Sequence, residues 1–237
     1  IVPTPTLAYA SRHFSAGAMV TASHNPPQYN GIKLINKDGS AFDSTQRGQI
    51  EAMISSKSSA LAPWEKIQKC TSYPDAVEAH IERILADYPG KFKLKVAVDC
   101  GCGAASVITP QLLTRLGCNV ITLNCQPSGH FPRVIEPLPE NLGGLIQAVK
   151  SQEADLGIAH DGDADRVAVI DDKGRFVSGD KLMALYVHQL GARRVVTTID
   201  ASMLIDELGF EVVRTRVGDA FVSDELRVGI KGNAEEF

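Results

Sequence analysis

At 237 residues the chain has material for one or two domains, and 44% apolar with 22% charged residues is ordinary for a globular protein. The net charge of −4, from 28 acidic and 24 basic residues, gives no basic stripe of the kind that binds nucleic acid. No apolar run approaches the ~20 residues of a membrane-spanning helix, and no signal peptide is visible.

The elements read in chain order alternate between strand and helix. The chain opens at Ile1 on a helix-like stretch, and Ser55-Ser-Lys-Ser-Ser59 followed by Pro63 reads as a loop. Residues 75–88 predict a helix with Val77, Ile81, Ile84, Leu85 and Tyr88 on one face. Residues 94–99 predict a strand bounded by Gly101, then 104–116 a helix that Gly117 terminates as a C-cap. A strand at 119–124, a helix at 141–150 and a strand at 155–159 follow. Residues 166–170 and 175–177 predict a hairpin across Asp171-Asp-Lys-Gly174. Beyond Gly179-Asp180 come a helix to about 190, a strand at 194–199, a helix at 202–208 and a strand at 211–217. Strands separated by helices imply βαβ units with a mixed or parallel sheet, in two blocks near 90–177 and 180–237. An opening on Ile1 and an ending on Gly232-Asn-Ala-Glu-Glu-Phe237 read as a piece of a longer protein.

Five cysteines, Cys70, Cys100, Cys102, Cys118 and Cys125, lack framework spacing and read as reduced thiols of a cytoplasmic protein. A zinc site of Cys100 and Cys102 with Cys118 and Cys125 is the alternative, against which stands the one-residue spacing.

Two stretches carry chemistry. In Asp161-Gly-Asp-Ala-Asp-Arg166, three carboxylates at i, i+2 and i+4 directly follow a strand, where α/β proteins place ligands. A looped backbone lets Asp161, Asp163 and Asp165 converge on one hard cation. An EF-hand does not fit, because its sixth position is Arg166 instead of Gly and its twelfth is Asp172 instead of Glu. In Thr21-Ala-Ser-His-Asn-Pro-Pro-Gln-Tyr-Asn-Gly-Ile-Lys33, a serine sits on a stiff turn. Alone, Ser23 and Asn25 would merely shape that turn. No G-x-S-x-G elbow supports a serine hydrolase. Together with the carboxylates, Arg166 and Lys33, the set suits phosphoryl transfer, with Ser23 carrying the phosphoryl group.

These two stretches resemble the active-serine and metal loops of the α-D-phosphohexomutases, a family that includes phosphoglucomutase, phosphomannomutase and phosphoglucosamine mutase. Supporting stretches are Val2-Pro-Thr-Pro5, Gly129-His-Phe-Pro132, Glu136-Pro-Leu-Pro-Glu-Asn-Leu142, Gly179-Asp180 and Thr215-Arg-Val-Gly-Asp219. The resemblance implies consecutive mixed-sheet α/β domains truncated at both ends. Residues 1–69 would be the C-terminal part of domain I, 70–178 domain II, and 179–237 the N-terminal part of domain III. It further implies a fourth, phosphate-clamping domain and a sugar-recognition loop beyond Phe237, so that the fragment alone would be inactive. By resemblance, Ser23 is phosphorylated and passes its group to a hexose phosphate through a hexose 1,6-bisphosphate. Asp161, Asp163 and Asp165 hold Mg²⁺ with Ser23. Lys33 is the acid/base, Arg166 grips phosphoryl oxygens, and His24 touches phosphate or sugar. Gly218 and Asp219 face the substrate, while Arg216 departs from a common Lys. Phosphomannomutase or phosphoglucomutase is the expected activity, moving phosphoryl between O1 and O6. The alternatives are phosphoglucosamine mutase and a non-catalytic metal-binding module. Oligomeric state and preferred sugar stay open.

Overall fold

The computed structural model describes residues 1–26, 28–57 and 61–232. Contacts group the chain into two units, one of Ile1–Gly39 with Asp75–Met183, the other of Ser40–Pro74 with Ala184–Phe237.

The first unit opens on α1 (Thr4–Ala10), with Pro at its first turn, where a missing N–H costs nothing. The antiparallel hairpin of β1 (Ala16–Thr21) and β2 (Gly31–Asn36) follows, with Thr21 opposite Gly31 and Met19 opposite Lys33. In the second unit α2 (Ser44–Ser55) starts on a capping box, in which Asp43 accepts from the Gln46 N–H and the Gln46 side chain accepts in return. Sequence reading had neither the hairpin nor α2. Of the loop expected over 55–59, Ser55 ends α2, and residues 58 and 59 lie outside the described residues.

Back in the first unit, α3 (Ala76–Asp87) buries Ile81 completely. Tyr88, expected on its inner face, ends the helix and is exposed. The five-stranded sheet runs β4 (Asn119–Leu123), β3 (Lys95–Asp99), β5 (Leu156–His160), β6 (Val167–Asp171), β7 (Phe176–Val177). Its first three strands are parallel, and β6 and β7 add antiparallel, as the hairpin pattern predicted. Alternate β3 residues feed opposite faces. Ala97 packs with Leu142, Leu145 and Val149 of and beside α5 (Gly143–Ser151), and Val98 packs with Ala105 and with Leu113 of α4 (Thr109–Arg115). Each of the fully buried Val98, Leu142, Leu145 and Val149 side chains contributes roughly 1.5–3 kcal/mol. The helix expected over 104–116 is broken. Residues Ala104–Val107 form a 3₁₀ turn, and Ile108 at φ −130° precedes α4, whose first turn holds Pro110. Proline clashes with the preceding turn and bars one continuous helix.

Beyond α6 (Gly179–Leu190), the second unit pairs β8 (Arg194–Thr198) in parallel with β9 (Glu211–Thr215), and α7 (Asp219–Gly232) packs on both. The helix expected at 202–208 is a 3₁₀ helix, Met203–Leu208, closed by Gly209 at φ +80°. The Arg227 guanidinium faces Asp43 at 3.4 Å and also reaches the Ser40 hydroxyl, tying α7 to the start of α2.

Candidate active site

The hairpin β1–β2 presents the loop 22–30, and Ser23 sits at its start with φ +53°. Few non-glycine residues accept this left-handed conformation without support. Part of the support is local, because the Ser23 N–H donates to Thr21 Oγ1 at 2.8 Å. The rest comes from Gly162, where a Cβ would stand 2.7 Å from the Ser23 carbonyl oxygen, so only glycine allows the two loops to lie this close.

The strand β5 delivers Asp161 directly after His160, and Asp161, Asp163 and Asp165 gather with one oxygen of each within 4.8 Å of the others. Ser23 Oγ donates to Asp161 Oδ2 at 3.3 Å, joining the serine turn to the carboxylates across 138 residues of sequence. His24 Nδ1 lies 3.4 Å from Ser23 Oγ. The Lys33 ammonium, on β2, donates to Asp163 Oδ2 at 2.8 Å and pairs with Asp165. Asp163 is further held by α1, since Thr4 Oγ1 donates to its carboxylate and the Thr4 N–H to its carbonyl, both at 2.8 Å.

Charge explains the protonation of the cluster. Burial, then the neighbouring charges of Asp165 and Asp163, push the Asp161 carboxyl up to about 6. Burial presses Asp163 the same way, but hydrogen bonds from Lys33 and Thr4 outweigh it and hold the group below the usual carboxylate range. Burial works against the Lys33 ammonium, and the bonds and charges of Asp163 and Asp165 overcome it and raise its pKa. One buried atom, Asp163 Oδ1, finds no hydrogen-bond partner among the described residues. A buried carboxylate oxygen left without a donor is costly. Three converging carboxylates, with one Asp163 oxygen left orphaned, fit a divalent cation.

The Arg166 backbone N–H donates to Asp161 Oδ1 at 3.3 Å, and its guanidinium pairs with Glu136 Oε1 at 3.1 Å. His160 Nδ1 donates to the Arg166 carbonyl at 3.0 Å, so in the neutral ring Nε2 accepts from Thr109 Oγ1 at 3.2 Å. Burial lowers its pKa and keeps that ring neutral. A groove of about 750 Å³ runs beside the serine turn, with His24 on one side and His130, Phe131, Arg133 and Glu136 on the other. Ser23, His24, Lys33, Arg166 and the three aspartates are thus brought together within the first unit. Gly218, at φ +136°, and Asp219, the first residue of α7, belong to the second unit, and the Asp219 side chain lies outside the described residues. Sequence reasoning missed Thr4 and Glu136 as partners of the site, although both lie in the supporting stretches Val2–Pro5 and Glu136–Leu142.

Three family models match in order: phosphoglucomutase/phosphomannomutase alpha/beta/alpha domain I over residues 1–61, domain II over 72–174 and domain III over 178–236. The chain belongs to the α-D-phosphohexomutase family. Among relatives of the chain, a protein of Methanocella arvoryzae named "Probable phosphoglucosamine mutase" is 52% identical over 230 residues, covering 96% of this chain and 52% of the relative. A phosphoglucosamine mutase of Methanococcus maripaludis is 42% identical, covering 95% of this chain and 54% of its own length. The crystal structure of a phosphoglucomutase/phosphomannomutase family protein from Burkholderia thailandensis matches with TM-score 0.79 at 27% identity, over 96% of this chain and 53% of that one. The chain therefore spans about half the length of the curated relatives it matches.

Proposed function

We propose that this chain supplies the phosphoserine and cation-binding part of a phosphohexomutase that acts on glucosamine phosphate. The bond from Ser23 Oγ to Asp161 Oδ2, inside a three-carboxylate cluster, carries the reading. The expected sugars were mannose and glucose; relatives named phosphoglucosamine mutase favour the amino sugar instead. We retain the division into domains at 1–69, 70–178 and 179–237.

Asp161, Asp163 and Asp165 would hold Mg²⁺, which supplies neutralising charge for phosphoryl oxygens. The residues then divide the remaining work. Ser23 Oγ, fixed on its strained turn, is the oxygen that gives up and takes back the phosphoryl group. In the forward step the P–Oγ bond breaks, a P–O bond to a sugar hydroxyl forms, and the hydroxyl proton ends, in net, on Ser23 Oγ. The serine oxygen leaves as an alkoxide unless it gains a proton. Lys33, whose ammonium reaches the cluster from β2, is the group placed to donate that proton. The Arg166 guanidinium presents a planar fork to phosphoryl oxygens, with Glu136 fixing its direction at 3.1 Å. His24, 3.4 Å from Ser23 Oγ, faces the groove where a sugar would lie.

The test is to incubate the whole mutase of which this chain is proposed to be a part with Mg²⁺ and glucosamine 1,6-bisphosphate, then map phosphate by peptide mass spectrometry. Phosphate is expected on Ser23, discharged by glucosamine 6-phosphate in preference to mannose 6-phosphate, and missing in Ser23→Ala. Phosphate absent from Ser23 would falsify the phosphoserine role; discharge by mannose 6-phosphate alone would restore the other sugar.

A further inference from the structure

We propose that Arg133 is the positioning residue of the cation loop: a buried guanidinium that fixes the backbone on which Asp161 stands. The inference rests on the reading of Asp161, Asp163 and Asp165 as cation ligands.

The Arg133 side chain is only 10% exposed, and its ion-pair partner Asp99 only 4%. Its fork is spent on four acceptors. Nε donates to Asp99 Oδ2 at 2.9 Å, Nη1 to the carbonyls of Val134 at 3.1 Å and Ile135 at 3.0 Å, and Nη2 to the His160 carbonyl at 2.8 Å. That last carbonyl belongs to the peptide bond leading into Asp161. Asp99 ends β3, and its Oδ1 accepts from the Gly101 N–H at 2.8 Å and from Asn124 Nδ2, just beyond β4, at 3.1 Å. One ion pair therefore joins the carboxyl ends of β3, β4 and β5.

The residue on the other side of Asp161 is anchored too. The Gly162 carbonyl accepts from the Ala104 N–H at 2.9 Å, and the 101–104 turn that supplies this donor lies against Arg133, since a Cβ on Gly101 would stand 3.2 Å from Arg133 Nη2. Asp161 is thus suspended between two pinned carbonyls, those of His160 and Gly162. Three residues beyond Arg133, Glu136 pairs with Arg166 at the far end of the same loop. The segment 133–136 consequently brackets the loop at both ends. A lysine keeps the charge toward Asp99 but has no planar fork, so it cannot serve Asp99, the 134–135 carbonyls and His160 together.

The experiment titrates Mn²⁺ into the full chain by electron paramagnetic resonance at a temperature where circular dichroism shows each variant folded. Wild type, Asp161→Asn, Arg133→Lys and Asp99→Asn are compared. Arg133→Lys is expected to weaken Mn²⁺ binding about tenfold to a hundredfold, as loss of a ligand-orienting partner does. Asp99→Asn is expected to move in the same direction, and it decides the matter where Arg133→Lys does not fold. A purely structural Arg133 would lower the melting temperature and leave Mn²⁺ affinity at the wild-type value, and that result overturns the inference. Tight wild-type binding that Asp161→Asn abolishes and Arg133→Lys leaves intact defeats the positioning role alone. A wild type that binds no Mn²⁺ defeats the cation-site reading together with it.

Discussion

Ser23 keeps its left-handed backbone because two glycines are stacked behind it. A Cβ on Gly103 would meet the Gly162 carbonyl oxygen at 2.6 Å, and a Cβ on Gly162 would meet the Ser23 carbonyl oxygen at 2.7 Å. These are backbone obstacles that cannot rotate away. Gly103→Ala is therefore predicted to destabilise the fold by about 1–3 kcal/mol and to displace the loop holding Asp161. Chemical denaturation would show the first effect and a weakened Mn²⁺ titration the second; an alanine variant with wild-type values in both would refute the stacking. The aspartates and Ser23 were legible as candidates because their signal is local, with carboxylates two apart and a serine in a rigid turn. Gly103 was not, since what makes it necessary lies 59 positions away (162 − 103) and leaves no trace in spacing.

At the scale of elements, α1 is tied to α3 by a polar contact. Thr6 Oγ1 lies 2.9 Å from His80 Nδ1, and the His80 ring stacks on Tyr9 at 5.4 Å. Burial lowers the His80 pKa, so the folded chain holds this ring neutral while the unfolded chain takes up a proton near pH 6.5. In the window between the lowered folded value and that unfolded value, the unfolded state binds more protons. Stability must rise with pH there and fall as pH drops. Unfolding free energies measured between about pH 5 and pH 7 should show a smaller slope in His80→Gln than in wild type, and an unchanged slope would exclude His80 as a source. The βαβ alternation was legible because short apolar, β-branched runs such as β3 stand between segments with helical spacing such as α3. The break at Ile108 had a usable signal that the reading passed over, since Pro110 inside the expected helix marks a new start. The capping box Asp43–Gln46 was a usable signal for α2 that the reading passed over.

For the whole molecule, a cation that binds the native cluster and not the unfolded chain stabilises by mass action. Mg²⁺ at a hundredfold excess over its dissociation constant should add about 2.7 kcal/mol, seen as a rise in melting temperature that Asp161→Asn removes; equal melting curves with Mg²⁺ and with chelator would count against the site. The long-range partner Thr4 was the least legible part of this cluster. It lies 159 residues from Asp163, whereas Lys33, 130 residues away, was legible from its own turn motif. The separation of 138 residues between Ser23 and Asp161 has a further meaning for how the protein is made. At ribosomal speeds of ~5–20 residues per second, the hydroxyl emerges on the order of 10 seconds before the carboxylates that give it a function. Until then the nascent chain carries an ordinary serine, and the chemistry proposed for it waits for the carboxylates to be translated.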